Sequence, residues 1–182
     1  MEEKKKKEES KEVFEISRDG KKIKKVIRGR FFEDFEIGDK YYHHWGRTLT
    51  ETDNILFSTL TMNFNPIYFN EDWARKMGYK RLVINPLLVF NTVLGMSVED
   101  LSEQALALLG YTDIKFPKPV YPGETIFAFS EVIEKRESKS RPEAGIVTFK
   151  TIGVNQDGEV VVEYIRSVLV KRREFIKKEL EG

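Results

Sequence analysis

Residues 61–70 read Thr-Met-Asn-Phe-Asn-Pro-Ile-Tyr-Phe-Asn, and the stretch 85–98 behind them reads Asn-Pro-Leu-Leu-Val-Phe-Asn-Thr-Val-Leu-Gly-Met-Ser-Val. The first string is neither helix nor strand. Pro66 biases Asn65 away from the helical region, and Thr61, Asn63, Asn65, Tyr68 and Asn70 carry polar heads that need partners if buried. In the second string Asn85 can cap a helix and Pro86 takes its first position, where a missing N–H costs nothing. Leu87, Leu88, Val89, Phe90, Val93, Leu94, Met96 and Val98 then cover nearly every side of the helical wheel, so this helix must be wrapped by something else. A polar, stiffened loop ahead of a wrapped apolar helix suggests a site more than a connector.

Working outward, the flanks predict the wrapping. Thr50-Glu51-Thr52-Asp53 approximates a capping box, with Asp53 at the third helical position. The helix it opens is expected to run to about Met62 and to bury Ile55, Leu56 and Leu60. Asn70 can cap a short helix over 71–77, closed by Gly78. Glu99-Asp100 end the apolar run of the long helix, and 101–109 reads equally as short helix or edge strand. Ile114–Phe116 reads as a short strand. The last third is rich in Val, Ile, Phe and Thr and predicts strands over 125–135, 145–154 and 160–171, the last two joined at Asp157-Gly158. Upstream, Asp19-Gly20 marks a hairpin, Phe31, Phe32, Phe35 and Ile37 an ordered arm, and 40–49 a strand. The fold class is therefore α+β, a curled antiparallel sheet around a central apolar helix at about 85–98.

Composition narrows the function. The chain has 182 residues, 34% of them charged, with a formal net charge of +1. That length allows one domain with a real core, and the charge balance argues against nucleic acid or a membrane surface as main partner. With no cysteine and two histidines, disulfides and thiolate chemistry are excluded and no metal site is expected. The N-terminus is rich in Lys and Glu rather than apolar, and no stretch reaches the ~18 apolar residues of a membrane span, so the expected location is cytoplasmic. The expected organisation is a charged disordered tail at 1–12, a hairpin and arm at 13–30, a domain at 31–171 and a charged tail at 172–182.

Four strings in order carry a family likeness: Phe-Glu-Asp-Phe-Glu-Ile-Gly-Asp (32–39), Arg-Thr-Leu-Thr-Glu-Thr-Asp (47–53), Asn-Phe-Asn-Pro-Ile-Tyr (63–68) and Pro-Val-Tyr-Pro-Gly-Glu-Thr (119–125). With this layout they resemble the hot-dog fold and, within it, the MaoC-like (R)-specific hydratase family. The wording at 61–70 and Arg-Glu-Ser-Lys-Ser-Arg-Pro at 136–142 are most similar to the mesaconyl-CoA hydratase (β-methylmalyl-CoA dehydratase) subgroup. The resemblance implies a single hot-dog domain over about 31–171 and a homodimer or higher homo-oligomer. It implies an acyl-CoA partner, with no cofactor beyond the CoA thioester that is substrate or ligand. The implied reaction adds water to a 2-enoyl-CoA or removes it from a 3-hydroxyacyl-CoA.

Family members use an Asp-x4-His pair to bracket one water, and a backbone N–H at the head of the central helix to steady the enolate oxygen. Carried over, the Asp position is Asn63, the His position is Tyr68, and the Gly after the helix-head Asn85 is Pro86. Asn63 cannot be a general base, Tyr68 is an acid or donor before it is a base, and Pro86 has no N–H, which leaves Leu87 N–H as substitute. The candidate catalytic residues are thus Asn63 and Tyr68. The candidate substrate-binding residues are Phe64, Asn65, Pro66, Asn85, Leu87 and Asn91, with Phe64, Leu87 and Asn91 lining a pocket between two central helices.

Alternatives are a non-catalytic acyl-CoA binder or subunit of a larger acyl-CoA enzyme, and a hot-dog thioesterase, for which 87–96 offers no acid or base. His43 and His44 are the only imidazoles. They fall on a strand where neighbours face opposite ways, and beside Trp45 they read as surface or interface residues unless one is recruited to the site. Lys135, Arg136, Lys139 and Arg141 read as a solvated basic run, with CoA phosphates as the sharper reading.

Overall fold

The computed structural model describes residues 12–18 and 20–176. Residues 1–11 and 177–182, which hold most of the two charged tails expected from the sequence, lie outside the described residues, as does Asp19.

In chain order the elements are β1 (Glu12–Arg18), β2 (Lys21–Ile27), β3 (Lys40–Thr48), α1 (Glu51–Leu60), α2 (Glu71–Lys76), α3 (Pro86–Leu101), β4 (Ala105–Lys115), β5 (Thr125–Glu137), β6 (Ala144–Val154) and β7 (Val160–Lys171). Strands β1 and β2 make a two-stranded antiparallel ribbon, and the other five form one antiparallel sheet in the order β3-β5-β6-β7-β4. Alternation decides which face of that sheet is dry. On β5, Ile126, Ala128 and Ser130 are buried while Phe127, Phe129 and Glu131 are not, the period of two of a sheet covered on one side.

Helix α3 covers that dry face. Its Val89, Phe90 and Val93 pack with Leu49, Ile126, Ala128, Val162 and Tyr164 in one apolar cluster. Its last residue, Leu101, packs with Phe35, Val132, Val147, Phe149, Val168 and Val170 in a second. The helix lies so close that a Cβ on Gly153 would come within 2.5 Å of Val93, so β6 needs glycine there. The Phe-rich arm is ordered because Phe31, Phe32 and Phe35 are all buried. Phe35 meets Phe149 edge to face at 5.2 Å.

Four expectations are corrected or made more specific. Helix α1 buries Asn54 and Ser58, while Ile55, Leu56 and Leu60 are exposed, Leu60 by 74%. Its polar pair turns inward because carbonyls and an N–H of the chain beyond it need partners there, as described below. Within the single chain α3 is covered on all sides but one, where Leu87, Asn91, Gly95 and Val98 form an exposed stripe at helical spacing. Helix α3 runs past the expected 98 to Leu101, and Asp100 lies buried in its last turn, where Arg30 and His43 hold it. Finally, of 101–109, readable as short helix or edge strand, Leu101 closes α3 and 102–104 turn. Residues 105–109 join the strand expected near 114–116 in one long edge strand, β4, paired with β7 and carrying register shifts.

Candidate functional site

The capping box forms: Asp53 N–H donates to Thr50 Oγ1 at 3.2 Å and Thr50 N–H to Asp53 Oδ2 at 2.9 Å. Helix α1 ends in a left-handed Met62, φ +54°, and Asn63 N–H turns back onto the Ser58 carbonyl at 2.8 Å. Asn65 then folds the loop, its Oδ1 accepting Ile67 N–H at 3.3 Å and its carbonyl accepting Tyr68 N–H at 3.0 Å. Pro66–Tyr68 is one tight turn, and Asn70 caps α2 by accepting Trp73 N–H at 3.0 Å. Pro66 with the side chains of Asn65 and Asn70 thus fixes one backbone path, each of these two Asn replacing a missing backbone partner.

This loop is joined to the head of α3 by two side chains of α1. Asn54 Nδ2 donates to the carbonyls of Tyr68 at 3.1 Å and Val83 at 3.0 Å, while its Oδ1 accepts Asn85 N–H at 2.7 Å. Ser58 Oγ accepts from Asn85 Nδ2 at 3.1 Å. Asn85 Oδ1 in turn accepts Leu87 N–H at 3.0 Å, and its carbonyl accepts Leu88 N–H and Val89 N–H. The polar atoms of Asn85 are therefore occupied, and Leu87 N–H is engaged by Asn85 rather than open to an oxyanion. The positive end of the helix dipole remains at this place.

Asn63, Asn65, Pro66, Tyr68, Asn85 and Leu87 thus converge through Asn54 and Ser58. Phe64 is exposed, its ring 6.1 Å from that of Phe69. Asn91 is exposed one turn along the α3 stripe, its amide donating to Leu87 carbonyl at 2.7 Å. Tyr68 is buried, and burial, with Tyr79 nearby, pushes its phenol above the ordinary 10.0. At neutral pH it is a proton donor. The loop itself contains no carboxylate and no imidazole.

His43 is not a surface residue, contrary to the sequence reading. It is fully buried, with Nδ1 2.7 Å from Asp100 Oδ2 and Nε2 2.8 Å from Ser130 Oγ. Asp100 lies fifteen residues along α3 from Asn85, about 22 Å at 1.5 Å per residue, so His43 is at the far end of the helix from the polar loop. His44, the next residue on β3, faces outward by strand alternation and stands 3.6 Å from Glu99. In the basic run, Lys135 donates to Phe35 carbonyl at 2.6 Å, Arg136 pairs with Glu134 and Arg141 with Glu143. Asn54, Ser58 and Asp100 were missed by sequence reasoning. The signal for the first two was present: a polar pair spaced i, i+4 inside an apolar helix.

Among the described residues no group of three or more His, Cys, Asp or Glu could hold a metal ion, and no helix is long and apolar enough to cross a membrane. A family model described as mesaconyl-CoA hydratase matches residues 10–180. A β-methylmalyl-CoA dehydratase of Chloroflexus aurantiacus is 41% identical over 150 residues, covering 82% of this chain and 42% of that one. A MaoC domain protein structure from the same organism superposes with a TM-score of 0.76 at 41% identity, over 80% of this chain and 41% of the other. A Mycobacterium tuberculosis protein described as a double hot-dog fold, 19% identical, superposes with a TM-score of 0.73 over 79% of this chain and 44% of that one. The fold is a hot-dog, and the chain spans about two-fifths of the length of the dehydratase it matches.

Proposed function

The chain belongs to the mesaconyl-CoA hydratase family, and from that premise we propose that it is an acyl-CoA hydratase/dehydratase unit acting on a 2-enoyl-CoA or 3-hydroxyacyl-CoA thioester of the mesaconyl kind. The observation that carries this reading is the buried Tyr68 phenol on a loop held against the head of α3 by Asn54. In this reading Tyr68 donates the proton or hydrogen bond that acid catalysis needs. Asn63 orients the water, Asn54 positions the loop against the helix head, and Asn85 caps that head. The thioester lies along Phe64, Leu87 and Asn91. Those residues fall on faces left exposed in the single chain, which supports a second hot-dog unit covering them, in a homodimer joined along the open edge of the sheet.

A second reading is favoured by a specific pair of observations. The loop contains no base, and the chain spans only 42% of its dehydratase relative. In a homodimer the partner's copy of this loop would add no base either. The chain would then be an acyl-CoA-binding unit, with catalysis supplied by a different hot-dog chain.

One experiment separates the two. Purified chain is assayed for hydration of crotonyl-CoA, mesaconyl-CoA and longer enoyl-CoA esters, beside the Asn63→Asp, Tyr68→His double variant. Turnover by the natural chain supports the hydratase reading. Esters bound unchanged by the natural chain, with turnover only in the double variant, support the second.

A further inference from the structure

A band of polar side chains crosses the dry face of the sheet between the two apolar clusters. His43 meets Ser130, and Ser130 meets Thr151 at 2.8 Å. Thr151 is in register with Tyr164 on β7, and Arg166 follows two residues on along the same face, in register with Phe149 of β6 and Tyr111 of β4. The first half of this band is satisfied. The second half is not.

Arg166 is 2% exposed, yet its Nε and Nη2 have no hydrogen-bond partner, while the Tyr164 hydroxyl beside it faces Thr151 and Ser97. Among the described residues no carboxylate forms an ion pair with it; its guanidinium carbon lies 5.8 Å from the Phe149 ring centroid. Arginine is almost never fully buried without a partner, and its guanidinium stays charged. Its planar fork of donors is matched by a carboxylate. Lysine or methionine would fill the same space without presenting that fork.

The neighbouring rings lead from this cation to the proposed site. Phe90, in the second turn of α3, lies 5.1 Å from Tyr111 and 4.8 Å from Tyr164, and those two tyrosines are 5.9 Å apart. Tyr111 is only partly buried and stands on edge strand β4. An aromatic wall thus connects the head of α3 with Arg166, and an acyl chain is the kind of group that runs along such a wall.

We propose that Arg166 receives the free carboxylate of a dicarboxylic acyl thioester. This makes Arg166 a specificity-determining residue and rests on the acyl-thioester reading above.

The test uses saturated esters, which bind without turnover: succinyl-CoA against butyryl-CoA, and adipyl-CoA against hexanoyl-CoA, by titration calorimetry on the full chain. The expected result is that the dicarboxylic member of at least one pair binds about tenfold or more tightly. Arg166→Met erases that preference and leaves the monocarboxylic ester within about twofold. Equal affinity within both pairs overturns the proposal and leaves water as the partner of Arg166. A preference that survives Arg166→Met also overturns it. So does a variant that keeps the preference while sedimenting as a smaller species, which assigns the cation to an acidic side chain of a second copy. If Arg166→Met does not fold, the wild-type comparison decides. If no CoA ester binds, the acyl-thioester reading fails by itself. The inference is then decided by whether free adipate or succinate, but not hexanoate or butyrate, raises the wild-type melting temperature.

Discussion

Asn54 Oδ1 accepts the backbone N–H of Asn85 at 2.7 Å, tying the middle of α1 to the residue that caps α3. The same amide donates to the carbonyls of Tyr68 and Val83. One fully buried side chain therefore sets where the polar loop stands relative to the head of the central helix.

Asn54→Ala should leave one N–H and two carbonyls without partners in a dry place. The expected loss is about 2–4 kcal/mol of unfolding free energy, since an unmade buried hydrogen bond costs the desolvation of its groups. Urea unfolding measures it, and a loss below about 0.5 kcal/mol, the range of neutral surface changes, would show that the amide is dispensable. Ser58→Ala removes one partner of Asn85 and should cost less, about 1 kcal/mol.

Asp100 anchors the other end of α3. Burial pushes its carboxyl up, but the hydrogen bond and charge of His43, with the Arg30 guanidinium, outweigh it and hold it below the ordinary 3.8. A carboxyl depressed in the folded state stabilises fully above its unfolded value and loses that contribution as pH falls through the lower folded value. Asp100→Asn should therefore cost about 3 kcal/mol near neutrality and flatten the decline of stability below the ordinary carboxyl range. Urea unfolding of wild type and variant at several pH values between neutrality and strong acid reads both effects, and parallel curves would refute them.

The exposed stripe of α3 contains Gly95, around which a Cβ would meet nothing within 4 Å. In a free monomer Gly95→Ala should gain up to about 1 kcal/mol of helix stability. In a dimer whose helices approach along this stripe the same methyl group is in the way. On β4, Leu108 and Leu109 are each 50% exposed, and changing both to Lys places charges at the open edge, a known block to strand pairing. The expected sedimentation result is a dimer for wild type at micromolar concentration, a monomer for the Leu108→Lys, Leu109→Lys variant, and a weakened dimer for Gly95→Ala. A wild-type monomer would remove the homodimer.

Much of the fold was legible because its signals are local. Pro86 behind Asn85, the Thr50–Asp53 box and the Val- and Ile-rich strands each determine their own element, and α3, β5, β6 and β7 stand where periodicity puts them. The errors came where the partner lies far along the chain. Nothing near Asn54 in sequence shows that Tyr68, Val83 and Asn85 need its amide. The apolar side of α1 read as core because nothing local shows the partners that turn Asn54 and Ser58, not Ile55, Leu56 and Leu60, inward. His43 read as surface because its partners, Asp100 and Ser130, are 57 and 87 residues away. The family likeness located the candidate site through Asn63 and Tyr68, but Arg166 stayed invisible, since an arginine within a strand of mixed residues has no local mark of being unpaired.

Tyr68 carries the chemical prediction. Burial holds its phenol above 10.0, so it is protonated at every pH where the protein would work, and an acid must be protonated to act. If the chain hydrates an enoyl-CoA, Tyr68→Phe should lower kcat by about 10²–10⁴, the usual contribution of a positioned acid. KM should change little, because the ring and its packing remain. The sign of the pH effect follows from the same shift: a limb due to Tyr68 falls as pH rises, beginning above the ordinary phenol value and absent from Tyr68→Phe. Tyr68→His would move the donor toward neutrality, about 6.5 for an unperturbed imidazole, and bring the falling limb down with it. A Tyr68→Phe enzyme with unchanged kcat would reduce the phenol to a packing element, and the proton would then have to come from water or from a second hot-dog unit.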